Sequence, residues 1–153
     1  MNLSTMEKLC FSTVRIETND ANGNNCYGTG FFFNLTIEEN VVPLIVTNKH
    51  VVQGMVKGRF ILTERDKDGG PMYKKHFPIS IDEGFEKYWI MHPDPLVDIC
   101  VMPINPIIDL AYKQLGKTFF YIPFDNSLIP SKEQLNEIDI AEDILMIGYP
   151  NGL

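Results

Sequence analysis

Apolar and β-branched residues in this chain fall in short runs, several alternating with polar positions, and the runs are separated by clusters of Gly, Asn, Asp or Pro. A period of two puts successive side chains on opposite faces of an extended backbone, so the pattern predicts strands more than helices. The runs are "LCFSTVRIE" (9–17), ended by "TNDANGNN"; "CYGTGFFFNL" (26–35); "VVPLIVT" (41–47); "GRFILTE" (58–64); "KKHFPIS" (74–80), after an Asp-Gly-Gly turn; "KYWIM" (87–91); and "LVDICVMPI" (96–104). Seven short strands at this spacing point to a barrel or a sandwich. No internal repeat or low-complexity segment interrupts them.

Beyond Pro103 the period changes. "NPIIDLAYKQLGK" sets Ile107, Ile108, Ala111 and Leu115 at helical spacing, with Pro106 at the start and Gly116 at the end, where helix termini favour them. "TFFYIPF" reads as a further strand, Ser131 with Gln134 as the capping box of a short helix, and "EDILMIGYPNGL" as a strand that breaks at Gly-Tyr-Pro-Asn-Gly. Three segments are expected: a β domain over 1–104, a linker with short helices and one strand over 105–140, and the start of a second unit over 141–153.

Composition narrows the classes of function. The 153 residues are 44% hydrophobic and 22% charged, enough for one globular domain with a core. Thirteen Lys and Arg against twenty Asp and Glu leave a net charge of −7, which argues against a nucleic-acid partner. No apolar run approaches bilayer length, and "MNLSTMEKLCFS" lacks the apolar core of a signal peptide, so no membrane attachment and a cytoplasmic location are expected. Cys10, Cys26 and Cys100 are odd in number and widely spaced, without a C-x-x-C pair, and are expected to be free, small, buried apolar residues, Cys100 above all. Neither a metal nor a cofactor is expected. Gly28 and Gly30 do not open a dinucleotide loop, since the third glycine position of that motif is Phe33 and no βαβ unit surrounds it. Glycines in strands mark bends or close backbone approach instead.

Candidate chemistry starts at "LIVTNKHVV" (44–52), where an apolar strand stops at Thr-Asn-Lys-His and delivers His50 at its tip. His76, in a Lys-rich alternating run, and His92, before Pro93 in a turn, read as bystanders. Asp98 interrupts the apolar run "LVDICVMPI", and a carboxylate among such neighbours needs a partner. An Asp that accepts from a histidine Nδ1–H holds the imidazole in the tautomer that leaves Nε2 free as a base. Residue types alone leave two readings open: a His50–Asp98 pair, or an Asp capping a turn with an unrelated histidine exposed nearby.

The order of the motifs favours the pair. "GTGFFF" (28–33), "IVTNKHVV" (45–52), "DICVMPI" (98–104) and "MIGYPNG" (146–152) resemble, in order and approximate spacing, the trypsin-like serine peptidases of the chymotrypsin fold, especially the bacterial and intracellular branch without a cleaved propeptide. The resemblance runs from about residue 8 to the last. It implies a mainly β chain: the N-terminal antiparallel β-barrel of a double-barrel fold, a short helical segment and an incomplete second barrel. A six-stranded antiparallel barrel or near-barrel over about 9–104 is expected, with a core of Val14, Ile16, Phe31, Phe33, Ile45, Val46, Ile61, Ile99 and Val101, and the resemblance implies a Gly-Thr-Gly-Phe strand passing beneath the histidine. His50 maps to the general base and Asp98 to the carboxylate that orients it.

The departures from the family are as informative. Its nucleophilic serine, in a G-x-S-G setting, and its oxyanion donors belong to the second barrel, whereas Ser4, Ser12, Ser80, Ser127 and Ser131 have no flanking glycines. The expectation is therefore the N-terminal portion of a serine endopeptidase, inactive by itself. The remainder would be supplied in cis or as a second chain, with a peptide or protein as substrate of the whole. Without a propeptide signal the intact enzyme would be constitutive, or switched by a partner or ligand. A non-catalytic β-barrel binding or regulatory module is the alternative. Apolar surface on "FFYIPF" and "DILMIGY" that would meet a second barrel is expected to stay exposed, to drive self-association, or to cover the first barrel differently.

Overall fold

The computed structural model describes residues 2–139 and 143–149. Strand β1 (Thr13–Asp20) turns back into β2 (Asn25–Ile37) through a loop held by Asp20, whose Oδ1 accepts from the main-chain N–H of Asn22 and of Asn24, both at 2.8 Å. β3 (Asn40–Thr47) pairs with the far edge of β2. β4 (Met55–Arg65) and β5 (Pro71–Ile81) form a second hairpin closed in the same manner, with Asp66 Oδ1 accepting from the N–H of Asp68 and Gly70. Both turns use the short side chain of an aspartate to satisfy donors that a tight bend leaves unpaired. β6 (Ile90–Met91) and β7 (Cys100–Pro103) complete a hydrogen-bonded path in the order β5-β4-β1-β2-β3-β7-β6, antiparallel throughout.

The fold is therefore mainly antiparallel sheet, 42% strand and 24% helix, with a few short helices. The sheet is not closed. β6 and β7 contribute two and four residues, and the pairing of β6 is with β7, so the ladder ends before it reaches round to β5. Two short strands join from the segment expected as a linker: β8 (Phe119–Phe120) on β4, and β9 (Phe124–Asp125), parallel to β2.

Register decides which side chains form the core. Ile16 lies opposite Phe60, Phe32 opposite Ile45, and Ile45 opposite Met102, which gathers Val14, Ile16, Phe32, Ile45, Phe60, Leu62, Cys100 and Met102 on one buried face. Phe85, in a single 3₁₀ turn (Phe85–Tyr88), and Trp89, just after it, cap that face, and a Cβ on Gly58 would lie 2.3 Å from the Phe85 ring, so the strand must be bare there. Of the expected core, Val14, Ile16 and Ile45 are buried as anticipated. Phe31, Phe33, Val46, Ile61, Ile99 and Val101 are one residue out of phase: Phe31 and Ile99 are exposed and the others half-buried. In runs such as "GFFF" and "LIV" every position is apolar, so the sequence carries no parity, and a shift of one residue exchanges the faces. The opposite face is apolar because it too is partly covered, with Phe31 against Phe124 and Phe11 edge-on to Phe120.

Three boundaries differ from expectation. The strand expected from residue 9 begins at Thr13, because α1 (Thr5–Ser12) precedes it. Its signal is a capping box: Ser4 Oγ accepts from Glu7 N–H, and Glu7 Oε2 accepts from Ser4 N–H. "KYWIM" is mostly the 3₁₀ turn, with only Ile90–Met91 in a strand, and "LVDICVMPI" becomes a strand only at Cys100. α3 (Asn105–Leu115) and α4 (Lys132–Asn136) lie where Pro106, Gly116 and the Ser131–Gln134 box put them.

"FFYIPF" is not a bare surface, since Phe119 is in the core and Tyr121 stacks on Phe32. Ile144 and Met146 are almost fully exposed, while Tyr149 N–H donates to Thr29 Oγ1 at 2.8 Å. The expected opening strand of a second barrel falls partly on 141, 142 and 150–153, outside the described residues; 143–149 form no ladder with the other described strands. Among the described residues no helix is long and apolar enough to cross a membrane.

Candidate active site

β3 ends at Thr47, which is buried and pairs with Cys100 while its Oγ1 donates to the carbonyl of Thr29 at 2.9 Å. The chain then makes one helical turn, α2 (Lys49–Val52). The two valines hold that turn down: Val51 and Val52 are buried, and Thr18 Oγ1 donates to Val51 O at 3.4 Å. β2 runs directly beneath, and a Cβ on Gly28 would lie 2.4 Å from Val51 Cγ1. Only glycine permits the turn to sit this low on the strand. With the valines facing inward, Lys49 and His50 face outward, which answers why an apolar strand should stop at Thr-Asn-Lys-His and resume as Val-Val.

Asp98 arrives from the other side, at the end of the 92–99 connection between β6 and β7. That connection is pinched at its base by His92 N–H donating to Ile99 O at 2.9 Å, and Asp94 turns it by accepting from Leu96 N–H at Oδ1. Asp98 Oδ2 then stands 2.5 Å from His50 Nδ1, and Asp98 Oδ1 accepts from the main-chain N–H of His50 at 3.1 Å. Both side chains are open to solvent, 71% exposed for His50 and 48% for Asp98. The carboxylate expected to need a partner among apolar neighbours has one, and it is half-exposed because β7 starts two residues later and Asp98 still belongs to the loop. The hydrogen bond from the His50 ring, followed by the one from its main-chain N–H, holds the Asp98 carboxyl below its ordinary value.

The arrangement places Nδ1 against a carboxylate acceptor, which favours the tautomer carrying hydrogen on Nδ1 and leaves the Nε2 lone pair free. Among the described residues no serine hydroxyl hydrogen-bonds to this ring. Ser12 is buried in α1 and donates to Lys8 O, Ser80 stands on β5 opposite Arg59, and Ser4, Ser127 and Ser131 are engaged with Glu7, Asp125 and Gln134. His76 contacts Thr63 across the β4–β5 hairpin, and the His92 ring accepts from Asp94 N–H within the connection that carries Asp98. A cavity of about 350 Å³ lined by Phe11, Arg15, Ile61, Tyr73 and Phe120 is away from the His50–Asp98 pair. Among the described residues no group of three or more His, Cys, Asp or Glu side chains is arranged to hold a metal. Of the cysteines, Cys100 is buried beneath the site, Cys26 is half-buried, and Cys10 is exposed on α1 rather than buried as expected.

Two residues at the site were not singled out by sequence reasoning. Asn48 Nδ2 donates to the carbonyl of Asp98, and Lys49 Nζ to the carbonyl of Asp94, each at 2.8 Å. The only sequence signal for Asn48 is an asparagine just before a helical turn, which reads as an ordinary cap.

No family model matches the chain, nor does any curated protein or solved structure.

Proposed function

We propose that this chain is the base-bearing N-terminal barrel unit of a trypsin-like serine endopeptidase, with His50 as general base and Asp98 as its orienting carboxylate. The observation that carries the reading is the double engagement of one carboxylate with one histidine, at the ring nitrogen and at the main chain of the same residue. A surface ion pair formed by chance needs only the ring contact. The second bond fixes the carboxylate relative to the backbone that bears the ring, which is what a base of defined tautomer and direction requires. The open sheet is read as a barrel wall of the chymotrypsin type. The supporting details are the β2 strand under the histidine turn and the exposure of His50, whose Nε2 side would face a nucleophile contributed by a second barrel.

In that role Nε2 removes the proton of a serine hydroxyl as the oxygen attacks a peptide carbonyl, and returns it to the leaving amine. In this reading the serine and the oxyanion donors would come from a second barrel, in cis or as a separate chain. The chain alone is therefore expected to show no turnover of peptide or ester substrates and no labelling by a fluorophosphonate probe. Labelling should appear when a second barrel bearing a G-x-S-G segment is supplied, in cis or as a separate chain, and should disappear with His50→Ala. Stoichiometric labelling of the chain alone, or labelling of the completed protein that survives His50→Ala, would sink the assignment. A completed protein that never labels would favour a non-catalytic binding module.

A further inference from the structure

Asn48 occupies the N-cap position of α2, where an asparagine side chain ordinarily accepts from the main chain of the first turn. It makes no such bond. Its amide donates instead to the main-chain carbonyl of Asp98, while the N–H of His50, the second residue of α2, is satisfied by the Asp98 carboxylate. The two residues have exchanged tasks across the site: the Asp98 side chain caps the turn, and the Asn48 side chain holds the backbone that carries Asp98.

The connection needs such a tie. Residues 92–99 contain no helix or strand, and the Asp98 side chain is half-exposed, so packing does little to fix the direction of the carboxylate. Lys49 gives a second tie to the same connection at Asp94 O. From this geometry we infer that Asn48 is a positioning residue: it fixes the Asp98 backbone so that the carboxylate stays aimed at His50 Nδ1. The inference rests on the reading of His50 and Asp98 as base and orienting carboxylate, and adds the residue that makes an exposed pair of this kind hold one geometry.

Asn48→Asp separates positioning from stability. Aspartate is as good a helix cap as asparagine, but as a carboxylate it has no hydrogen to donate and would face the Asp98 carbonyl with acceptor against acceptor. The readout is nitrogen and proton NMR of the His50 ring in the whole chain at neutral pH, with Asp98→Asn as reference. Asn48→Asp is expected to lower the share of the Nδ1–H tautomer and to speed solvent exchange of that proton by about five- to tenfold, the factor one hydrogen bond supplies. Its unfolding midpoint should fall by no more than the loss of one exposed hydrogen bond explains. If Asn48→Asp fails to fold, Asn48→Ala carries the same expectation for tautomer and exchange. A His50 spectrum unchanged in the Asn48 variant but altered by Asp98→Asn would overturn the positioning role and leave the pair standing. A spectrum that Asp98→Asn also leaves unchanged would overturn the pair itself, and the positioning role with it.

Discussion

Val51 rests on Gly28 so closely that a single methyl group at position 28 would come within 2.4 Å of its Cγ1. The contact sets the height of α2 above β2, and with it the place of His50, the residue just before Val51. Gly28→Ala must lift the turn or distort the strand, since the clash is with the branched end of a buried valine. Overpacking of this kind costs about 1–3 kcal/mol. Chemical denaturation should show that loss, and the His50 ring resonances should shift with it. An alanine variant of parental stability with unchanged His50 signals would mean that the turn is not seated on the strand.

The His50–Asp98 pair has a defined response to acid. Asp98 is held below its ordinary value by the two bonds from His50, so its contribution to stability is present above the unfolded carboxylate value, about 3.9, and is lost as the pH falls through the lower folded value. The contribution is small because the pair is exposed and screened. The sensitive measurement is therefore the His50 Nδ1–H resonance, which should persist through the ordinary carboxylate range and fade only below it. In Asp98→Asn that acid step should be absent. In a completed, active protein Asp98→Asn should lower kcat by about 10³–10⁴-fold, as expected when a histidine base loses its orienting carboxylate.

The two neighbouring phenylalanines of β2 test the register. Phe32 is 3% exposed and faces Ile45 across the ladder, whereas Phe31 is 36% exposed and leans on Phe124. Phe32→Ala should cost about 3–5 kcal/mol and Phe31→Ala markedly less, read from urea unfolding of the two variants side by side. Equal losses would place the strand in the other phase.

The thiols differ for a reason that can be titrated. Burial, reinforced by the nearby Asp98 charge, pushes the Cys100 thiol up to about 12. It should be inert to maleimide in the folded protein and react only on unfolding, while Cys10, exposed on α1, labels at once. Because the folded value lies above the unfolded one, about 8.5, this thiol supports the fold below that pH. Its contribution should decline as the pH rises toward 12, and alkaline unfolding of Cys100→Ser should lack that component.

The sequence by itself determined the class of the fold, because alternation and turn residues act locally: Asp20 and Asp66 close their hairpins with bonds to residues two and four positions away, and Pro106 and Gly116 bound α3 from within. It also marked His50 and Asp98, one at the tip of an apolar strand and the other as a charge in an apolar run. The capping box at Ser4 is equally local, but the apolar run that follows it has the pattern of a strand. Tertiary structure decided the rest. Whether Phe31 or Phe32 faces the core depends on pairing with β3, whether the sheet closes depends on the lengths of β6 and β7, and whether a carboxylate meets an imidazole depends on two loops brought together by β3 and β7. Asn48 shows the limit most plainly. Its local context says helix cap, and its partner stands fifty residues away, where only the folded sheet could bring it.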